Sequence, residues 1–218
     1  MSFHIECLID ISGSMKDSIS DLVYSYNNFL NEQQILNIDN NNFTWGLNCF
    51  NHKFYNYIDC MKINNVPNLQ TIDLKPQNTT TLLDSIAYTI QKIDYNISQS
   101  KLNNDKVIVV IMTDGIDNNS KNYYEEQIKN LIFLKEEQFN WKFVYLGANQ
   151  NAIEIGKKLG ISENCSLSYK QNSNGIYNAL KSTSNSIIKL RKGEDYSINF
   201  NELDRLSSLS LGDSLNLS

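Results

Sequence analysis

The spacing of apolar and polar positions changes in a regular way along the chain. Apolar runs, several of them alternating with polar residues, predict strands at 3–9, 43–50, 53–58, 107–112, 141–147 and, more weakly, 69–74 and 165–169. Elsewhere apolar residues recur every three or four positions, which predicts amphipathic helices at 16–30, 83–93, 124–134, 153–159 and 175–190. The run "VIVVIM" at 107–112 has no polar position, as expected for a parallel strand buried on both faces.

This alternation of strands and helices predicts the fold class. We expect an α/β, doubly wound, mostly parallel central sheet with helices on both faces. The two-residue link between 43–50 and 53–58 predicts a hairpin, and therefore an antiparallel edge strand. One domain is expected over 1–193. Residues 194–218, which end in "RLSSLSLGDSLNLS", are expected to form a flexible tail, with a docked strand or a partner-binding peptide as the alternatives.

Composition and charge narrow the classes of partner. The 218 residues are 41% hydrophobic and 20% charged, which is typical of a globular protein. The net charge of -5 predicts no nucleic-acid partner, and no stretch approaches the ~20 apolar residues that cross a bilayer. Without a secretory signal in "MSFHIECLID", we expect a cytoplasmic protein with no membrane partner. The four scattered cysteines lack metal-binding spacing and are expected to be reduced thiols.

Polar residues follow two of the predicted strands at the points where these strands end. Asp10, Ser12 and Ser14 lie in "IDISGSM" after the first strand, and Asp114 follows "VIVVIM". Ligands of open α/β sheets bind at the carboxyl ends of the strands, so we expect these residues to meet if their strands are neighbours. Hydroxyl and carboxylate oxygens without His or Cys suit a hard cation such as Mg²⁺. Two carboxylates balance the charge of a divalent ion, which would still accept one carboxylate from outside.

Four other interpretations apply to the same turn. A hydrolytic serine needs a base, but His4 lies on a predicted strand and His52 in the hairpin turn. A phosphate-binding loop is disfavoured because "SGSMK" lacks the required glycine and lysine spacing. A Mg²⁺-dependent phosphoryl-transfer enzyme with Asp10 as nucleophile remains an alternative, although Ser12 stands where such enzymes carry a second carboxylate. A scaffold with an idle metal site is the last alternative.

Three segments carry a resemblance to a known family. "DISGSM", the threonines of "NTTTLLDSI" and "VIVVIMTDGIDN" resemble the metal-ion-dependent adhesion site (MIDAS) of the von Willebrand factor A domain. "FVYLGANQNAIEIGKKLGI" looks like the fifth strand and next helix of small stand-alone bacterial and phage-type members, so the resemblance spans about residues 3 to 190. It implies a site for Mg²⁺, with Mn²⁺ as the alternative ion, whose hydroxyls contact the ion and whose aspartates act largely through water. The implied ligands are Asp10, Ser12, Ser14, Thr80 and Asp114.

The resemblance also implies a function without catalysis. Such a domain is a protein-protein interaction module in which an Asp or Glu of a partner, here unidentified, fills the open metal position. Thr80 is preferred to Thr79 and Thr81 because its spacing to "LLD" matches the family's T-x-L-x-D, although a threonine here could simply cap the next helix. Asp84 and Asp117 are either groups behind the metal ligands or a helix-start charge and a turn residue.

Overall fold

The computed structural model describes residues 2–36, 43–102 and 106–210. Its strands are β1 (Phe3–Asp10), β2 (Phe43–Phe50), β3 (Phe54–Lys62), β4 (Val107–Thr113), β5 (Lys142–Ala148) and β6 (Ser166–Tyr169). Its helices are α1 (Ile19–Ile35), α2 (Leu82–Ser98), α3 (Glu125–Phe139), α4 (Ala152–Lys158), α5 (Ser173–Lys192) and α6 (Glu202–Leu209). The helices alternate with the strands as the sequence predicts.

Within the described residues, six strands form one sheet in the order β3-β2-β1-β4-β5-β6. All neighbouring strands are parallel except β2 and β3, which form the predicted hairpin and its antiparallel edge. The strand order changes direction at β1, which pairs with both β2 and β4. Because Ile9 lies opposite Met112, the next residues, Asp10 and Thr113, meet at the carboxyl edge beside this switch point. The predicted fold class is confirmed.

Helices cover both faces of the sheet because successive strand residues point to opposite sides. On one face Trp45 of β2 packs its ring against Tyr26 and Phe29 of α1. On the other face Glu6 of β1 reaches Lys92 of α2. The β4 residues between these layers are buried along the whole strand, as the unbroken apolar run predicts.

The strand predicted at 69–74 is wrong. Residues Thr71–Asp73 form a 3-10 turn instead, between Leu69 and Leu74, which are both buried. The side chain of Asn27 on α1 accepts from Leu69 N at 2.8 Å and donates to Leu69 O at 2.9 Å. The amide side chain of Asn27 therefore satisfies both backbone groups of Leu69, which a neighbouring strand would otherwise pair.

The flexible tail is also not what the structure has over residues 194–210. Ile198 and Phe200 are buried, and α6 packs against β6 and α5. Arg205 donates to the carbonyl oxygen of Ser166 at 2.9 Å, and Ser208 donates to that of Ser168 at 2.8 Å. These side chains occupy carbonyl groups at the outer edge of β6. Residues 211–218 of the expected tail lie outside the described residues.

Two further observations bear on predictions from composition. None of the helices within the described ranges is long and apolar enough to cross a membrane. The four cysteines are free thiols: Cys7, Cys49 and Cys165 are buried, and Cys60 is partly buried. The cytoplasmic location stays a prediction.

Candidate metal site

Three loops meet at the carboxyl edge of the sheet: the first loop (residues 11–18), the second loop (75–81) and the third loop (114–124). Backbone hydrogen bonds hold them together. Gly13 N donates to Asn78 O at 3.1 Å, which joins the first loop to the second. Asn118 N and Asn119 N both donate to Thr80 O at 3.1 Å, which joins the second loop to the third. The framework of the site is therefore set by the backbone.

Asp10 ends β1 with its side chain fully buried between the loops. Its Oδ1 accepts from Ser12 N at 2.7 Å, and its Oδ2 accepts from the Thr113 hydroxyl at 2.7 Å. Burial raises the pKa of Asp10 from 3.8 to about 6, although these hydrogen bonds lower it and Asp114 adds a smaller increase. The charge of this carboxylate is thus only partly compensated, and a nearby cation would stabilise it.

Ser12 and Ser14 lie beside Asp114, as predicted. Ser14 Oγ donates to Asp114 Oδ1 at 2.8 Å, and Ser12 Oγ lies 3.5 Å from the same oxygen. The two serine oxygens are 3.1 Å apart. A hydroxyl that gives its proton to a carboxylate keeps its lone pairs for a cation, so this arrangement fits a hard metal ion. Ser14 is exposed, so the cluster opens to solvent on its side.

The three threonines of the second loop have different surroundings. Thr79 is exposed to solvent. Thr81 is buried, and its hydroxyl donates to Asn51 O at 2.7 Å, away from the first loop. Thr80 is buried, and its N–H donates to Asn118 Oδ1 at 2.9 Å.

The hydroxyl of Thr80 points toward the third loop. Its Oγ1 lies 3.4 Å from the position that a Cβ on Gly115 would occupy, next to Asp114. Asn78 has a φ of 63°, a left-handed conformation that asparagine tolerates better than most residues, and donates to His52 Nδ1 at 3.1 Å. Asn78 therefore allows the turn that brings Thr80 inward.

Asp84 and Asp117 connect α2 to the third loop. The carboxylate of Asp84 accepts from three successive backbone N–H groups at 2.9–3.0 Å, those of Lys121, Asn122 and Tyr123. Asp117 Oδ1 accepts from Leu83 N at 3.2 Å, so it caps the first turn of α2, where no threonine side chain does so. Both carboxylates therefore stabilise the third loop through hydrogen bonds to the backbone.

Sequence reasoning missed the side chain of Gln171 at this site, as well as those of Thr113 and Asn118. Gln171, which follows β6, donates from Nε2 to Asp114 Oδ2 at 2.8 Å and to Ser14 O at 3.1 Å. No motif marks this residue, because its loop contacts the site only when β6 lies at its place in the sheet.

The surroundings of Asp10 and the histidines bear on the alternatives. His4 is hydrogen-bonded to Glu6 within β1, away from the first loop. His52 is hydrogen-bonded to Asn78. Both oxygens of Asp10 are already hydrogen-bonded and buried, which is unfavourable for a nucleophile. Within the described ranges no group of three or more His, Cys, Asp or Glu side chains is arranged to hold a metal. A metal here would depend on hydroxyls as well as carboxylates.

Comparison with known proteins shows that this chain resembles several solved structures in its fold. No protein-family model matches the sequence, and no curated protein matches it. Among solved structures, the vWF domain of the type V pili tip protein Mfa5 from Porphyromonas gingivalis superimposes with a TM-score of 0.63 at 9% identity, over 92% of this chain and 97% of that one. The chain has a von Willebrand factor A-like fold. At this identity the similarity shows the fold alone.

Two other neighbours of the same fold are longer proteins. The pilus adhesin SpaC from Lactobacillus rhamnosus GG, in its open conformation, has a TM-score of 0.63 at 13% identity over 86% of this chain. The PilB minor pilin from Streptococcus sanguinis has a TM-score of 0.58 at 12% identity, also over 86% of this chain. The chain spans 30% of SpaC and 61% of PilB, less than two thirds of either.

Proposed function

We propose that this chain is a protein-protein interaction module that binds a divalent cation, Mg²⁺ or Mn²⁺, and through it an acidic residue of a partner. Ser12, Ser14 and Thr80 would supply hydroxyl oxygens, and the Asp10 and Asp114 carboxylates would balance the charge. The bound ion would supply an electrophilic position for a carboxylate from outside.

One observation carries this proposal. Ser14 donates its proton to Asp114 at 2.8 Å, and its oxygen lies 3.1 Å from that of Ser12, so each of the two neighbouring hydroxyl oxygens keeps at least one lone pair for a cation. The Asp10 carboxylate lies at the same edge, and its raised pKa indicates that its negative charge is only partly compensated by its neighbours. Oxygen donors of this kind favour Mg²⁺ over softer metals.

The fold neighbours agree with an interaction module. SpaC is described as a pilus adhesin and Mfa5 as a pili tip protein, neither of them an enzyme by that description. The phosphoryl-transfer alternative gains no support from the geometry, because Asp10 is buried with both oxygens engaged. A scaffold with an idle site is the alternative that the first experiment decides.

Titration calorimetry with MgCl₂ and MnCl₂ tests the metal site. The wild type is expected to release or absorb heat with a saturable isotherm, and the Ser12→Ala/Ser14→Ala variant is expected to lose it. Ser98→Ala/Ser100→Ala is the matched control, since these two exposed serines have the same spacing at the far end of α2. A wild type without binding heat, or equal binding in the Ser12/Ser14 variant, would refute the metal site.

Affinity capture with and without a chelator tests the docking step. A partner docked through the metal is expected to be lost both on chelation and in Ser12→Ala/Ser14→Ala, and kept by Ser98→Ala/Ser100→Ala. Mutation of single Asp and Glu residues in a captured partner should then identify one whose loss abolishes binding. A partner retained without metal would contradict docking through the ion.

The cellular location belongs to the same proposal. The free thiols fit the reducing cytoplasm that the sequence predicts, whereas the description of SpaC, a fold neighbour, as a pilus adhesin favours the cell surface. Fractionation of cells that express the full chain, with detection in each fraction, separates the two locations.

A further inference from the structure

We propose that Gln171 is a positioning residue of the metal site, which holds Asp114 and the first loop in the arrangement that binds the cation. The effect on metal affinity rests on the proposed function, but the effect on the loops does not. Gln171 lies between β6 and α5, outside the three loops that contain the predicted ligands.

The amide nitrogen of Gln171 joins two loops directly. Nε2 donates to Asp114 Oδ2 at 2.8 Å, in the third loop, and to Ser14 O at 3.1 Å, in the first loop. It also lies 3.3 Å from Ser18 Oγ. An amide NH₂ has two hydrogens, so one side chain can serve both loops at once.

The orientation of this amide is fixed by Asn149 at the end of β5. Gln171 Oε1 accepts from Asn149 Nδ2 at 3.3 Å, and Gln171 N donates to Asn149 Oδ1 at 3.4 Å. Asn149 is itself held, since its N–H donates to Tyr169 O at 2.9 Å. A reversed amide would place Oε1 against the Asp114 carboxylate, two acceptors facing each other. Only the observed orientation satisfies both neighbours.

The consequence for the site follows from the two oxygens of Asp114. Gln171 occupies Oδ2, so Oδ1 is directed to the hydroxyls of Ser12 and Ser14. Without this donor, the half-buried Asp114 side chain is free to turn toward water, and the serine protons lose their acceptor. Groups that orient metal ligands in this way typically change metal affinity by about 10- to 100-fold.

The variant Gln171→Met tests the proposal, because it keeps the length of the side chain and removes the amide. Its control is Gln34→Met at the end of α1, whose Nε2 also donates twice, to Ile63 O at 2.9 Å and Val66 O at 3.0 Å. Mg²⁺ affinity is measured by calorimetry, and amide hydrogen exchange is measured in the metal-free protein. Gln171→Met is expected to weaken Mg²⁺ binding about tenfold or more and to speed exchange in residues 11–18 and 114–120. Gln34→Met should leave both unchanged.

Each outcome decides for or against the role of Gln171. Unchanged Mg²⁺ affinity in Gln171→Met overturns it, even where exchange becomes faster, since the residue is then only a brace. If the wild type binds no Mg²⁺, the proposed function fails, and the exchange arm alone decides. Faster exchange confined to residues 11–18 and 114–120 then supports only the part of the proposal by which Gln171 holds the first and third loops, and unchanged exchange overturns that part as well.

Discussion

Two polar clusters share the same face of β1, and only one of them has the character of a binding site. The buried cluster surrounds Glu6, whose Oε1 accepts from Lys92 Nζ and Asn48 Nδ2, both at 2.9 Å, and whose Oε2 lies 3.0 Å from His4 Nε2. The Asp10 cluster lies four residues further along, at the open edge of the sheet.

The difference lies in unused bonding capacity and access. Glu6 is fully buried and its carboxylate faces donors on both oxygens, so the buried cluster is chemically complete. At the edge, the hydroxyls of Ser12 and Ser14 keep unused lone pairs, and Ser14 is exposed. A concentration of charged residues is therefore not itself a site. The charges of the buried cluster stabilise the fold, whereas those of the Asp10 cluster remain accessible to a ligand.

The largest expected effect separates the two clusters by stability. Glu6→Ala leaves Lys92 and His4 without their buried partner and is expected to lower the free energy of unfolding by about 3–5 kcal/mol. Asp114→Ala, at the half-exposed edge, is expected to cost about 1 kcal/mol, since water can replace its bonds. Urea denaturation in a chelator measures both. Equal losses in the two variants would remove the distinction between the clusters.

A smaller effect, with a pH dependence, is expected at Asp10. In the folded protein the pKa of Asp10 is about 6, above the ordinary value of 3.8. As the pH rises, Asp10 therefore loses its proton at a lower pH in the unfolded chain than in the folded protein. The contribution of Asp10 to stability is present in full below about pH 4 and is lost as the pH rises to about 6. A shift of this size corresponds to about 3 kcal/mol.

The variant Asp10→Asn removes this titration. Without divalent ions at pH 7, it is therefore expected to be more stable than the wild type, by up to about 3 kcal/mol if its hydrogen bonds are kept. Denaturation curves at several pH values in a chelator measure the difference, and adding Mg²⁺ should stabilise only the wild type. If the stability of Asp10→Asn depends on pH as steeply as that of the wild type, the raised pKa of Asp10 is not the source of the pH dependence.

The smallest effect on stability is expected at the second loop. Thr80→Ala should weaken Mg²⁺ binding by about tenfold or more while changing the free energy of unfolding by less than about 1 kcal/mol. Thr79→Ala is the matched control, because this neighbouring threonine is exposed. Calorimetric titration of both variants gives the comparison. An equal loss of affinity at both positions would argue against a specific role for the Thr80 hydroxyl.

Much of the fold was predictable because its signals are local. The apolar run at 107–112 and the hairpin link near Lys53 identified the central strand and the edge strand. The segment 69–74 has three apolar residues among polar ones, but Asn27 of α1 takes the backbone bonds of Leu69, and Thr71–Asp73 form a 3-10 turn. The apolar pattern therefore gave the wrong type of structure there, and it indicated burial correctly for Leu69 and Leu74 but not for Ile72, which is 81% exposed.

The prediction of a flexible tail after Gly193 was wrong over residues 194–210 for a different reason. Ile198 and Phe200 of this segment are buried. Its helix α6, however, docks through the polar side chains of Arg205 and Ser208 on carbonyl groups of β6, while Leu203 and Leu206 remain exposed. Reasoning from apolar periodicity looks for leucines turned inward, so it could not detect a helix attached mainly through its polar residues.

The sequence by itself determined the α/β pattern and placed Asp10, Ser12 and Ser14 in one turn, because periodicity and short spacing act within a few residues. Only the tertiary structure decided that Thr80 rather than Thr81 faces the third loop, that Asp84 and Asp117 brace that loop, and that Gln171 reaches Asp114. Those contacts depend on which loops the strand order brings together. Residues far apart in the chain become neighbours there only because β1 pairs with β4 and the later strands follow in order.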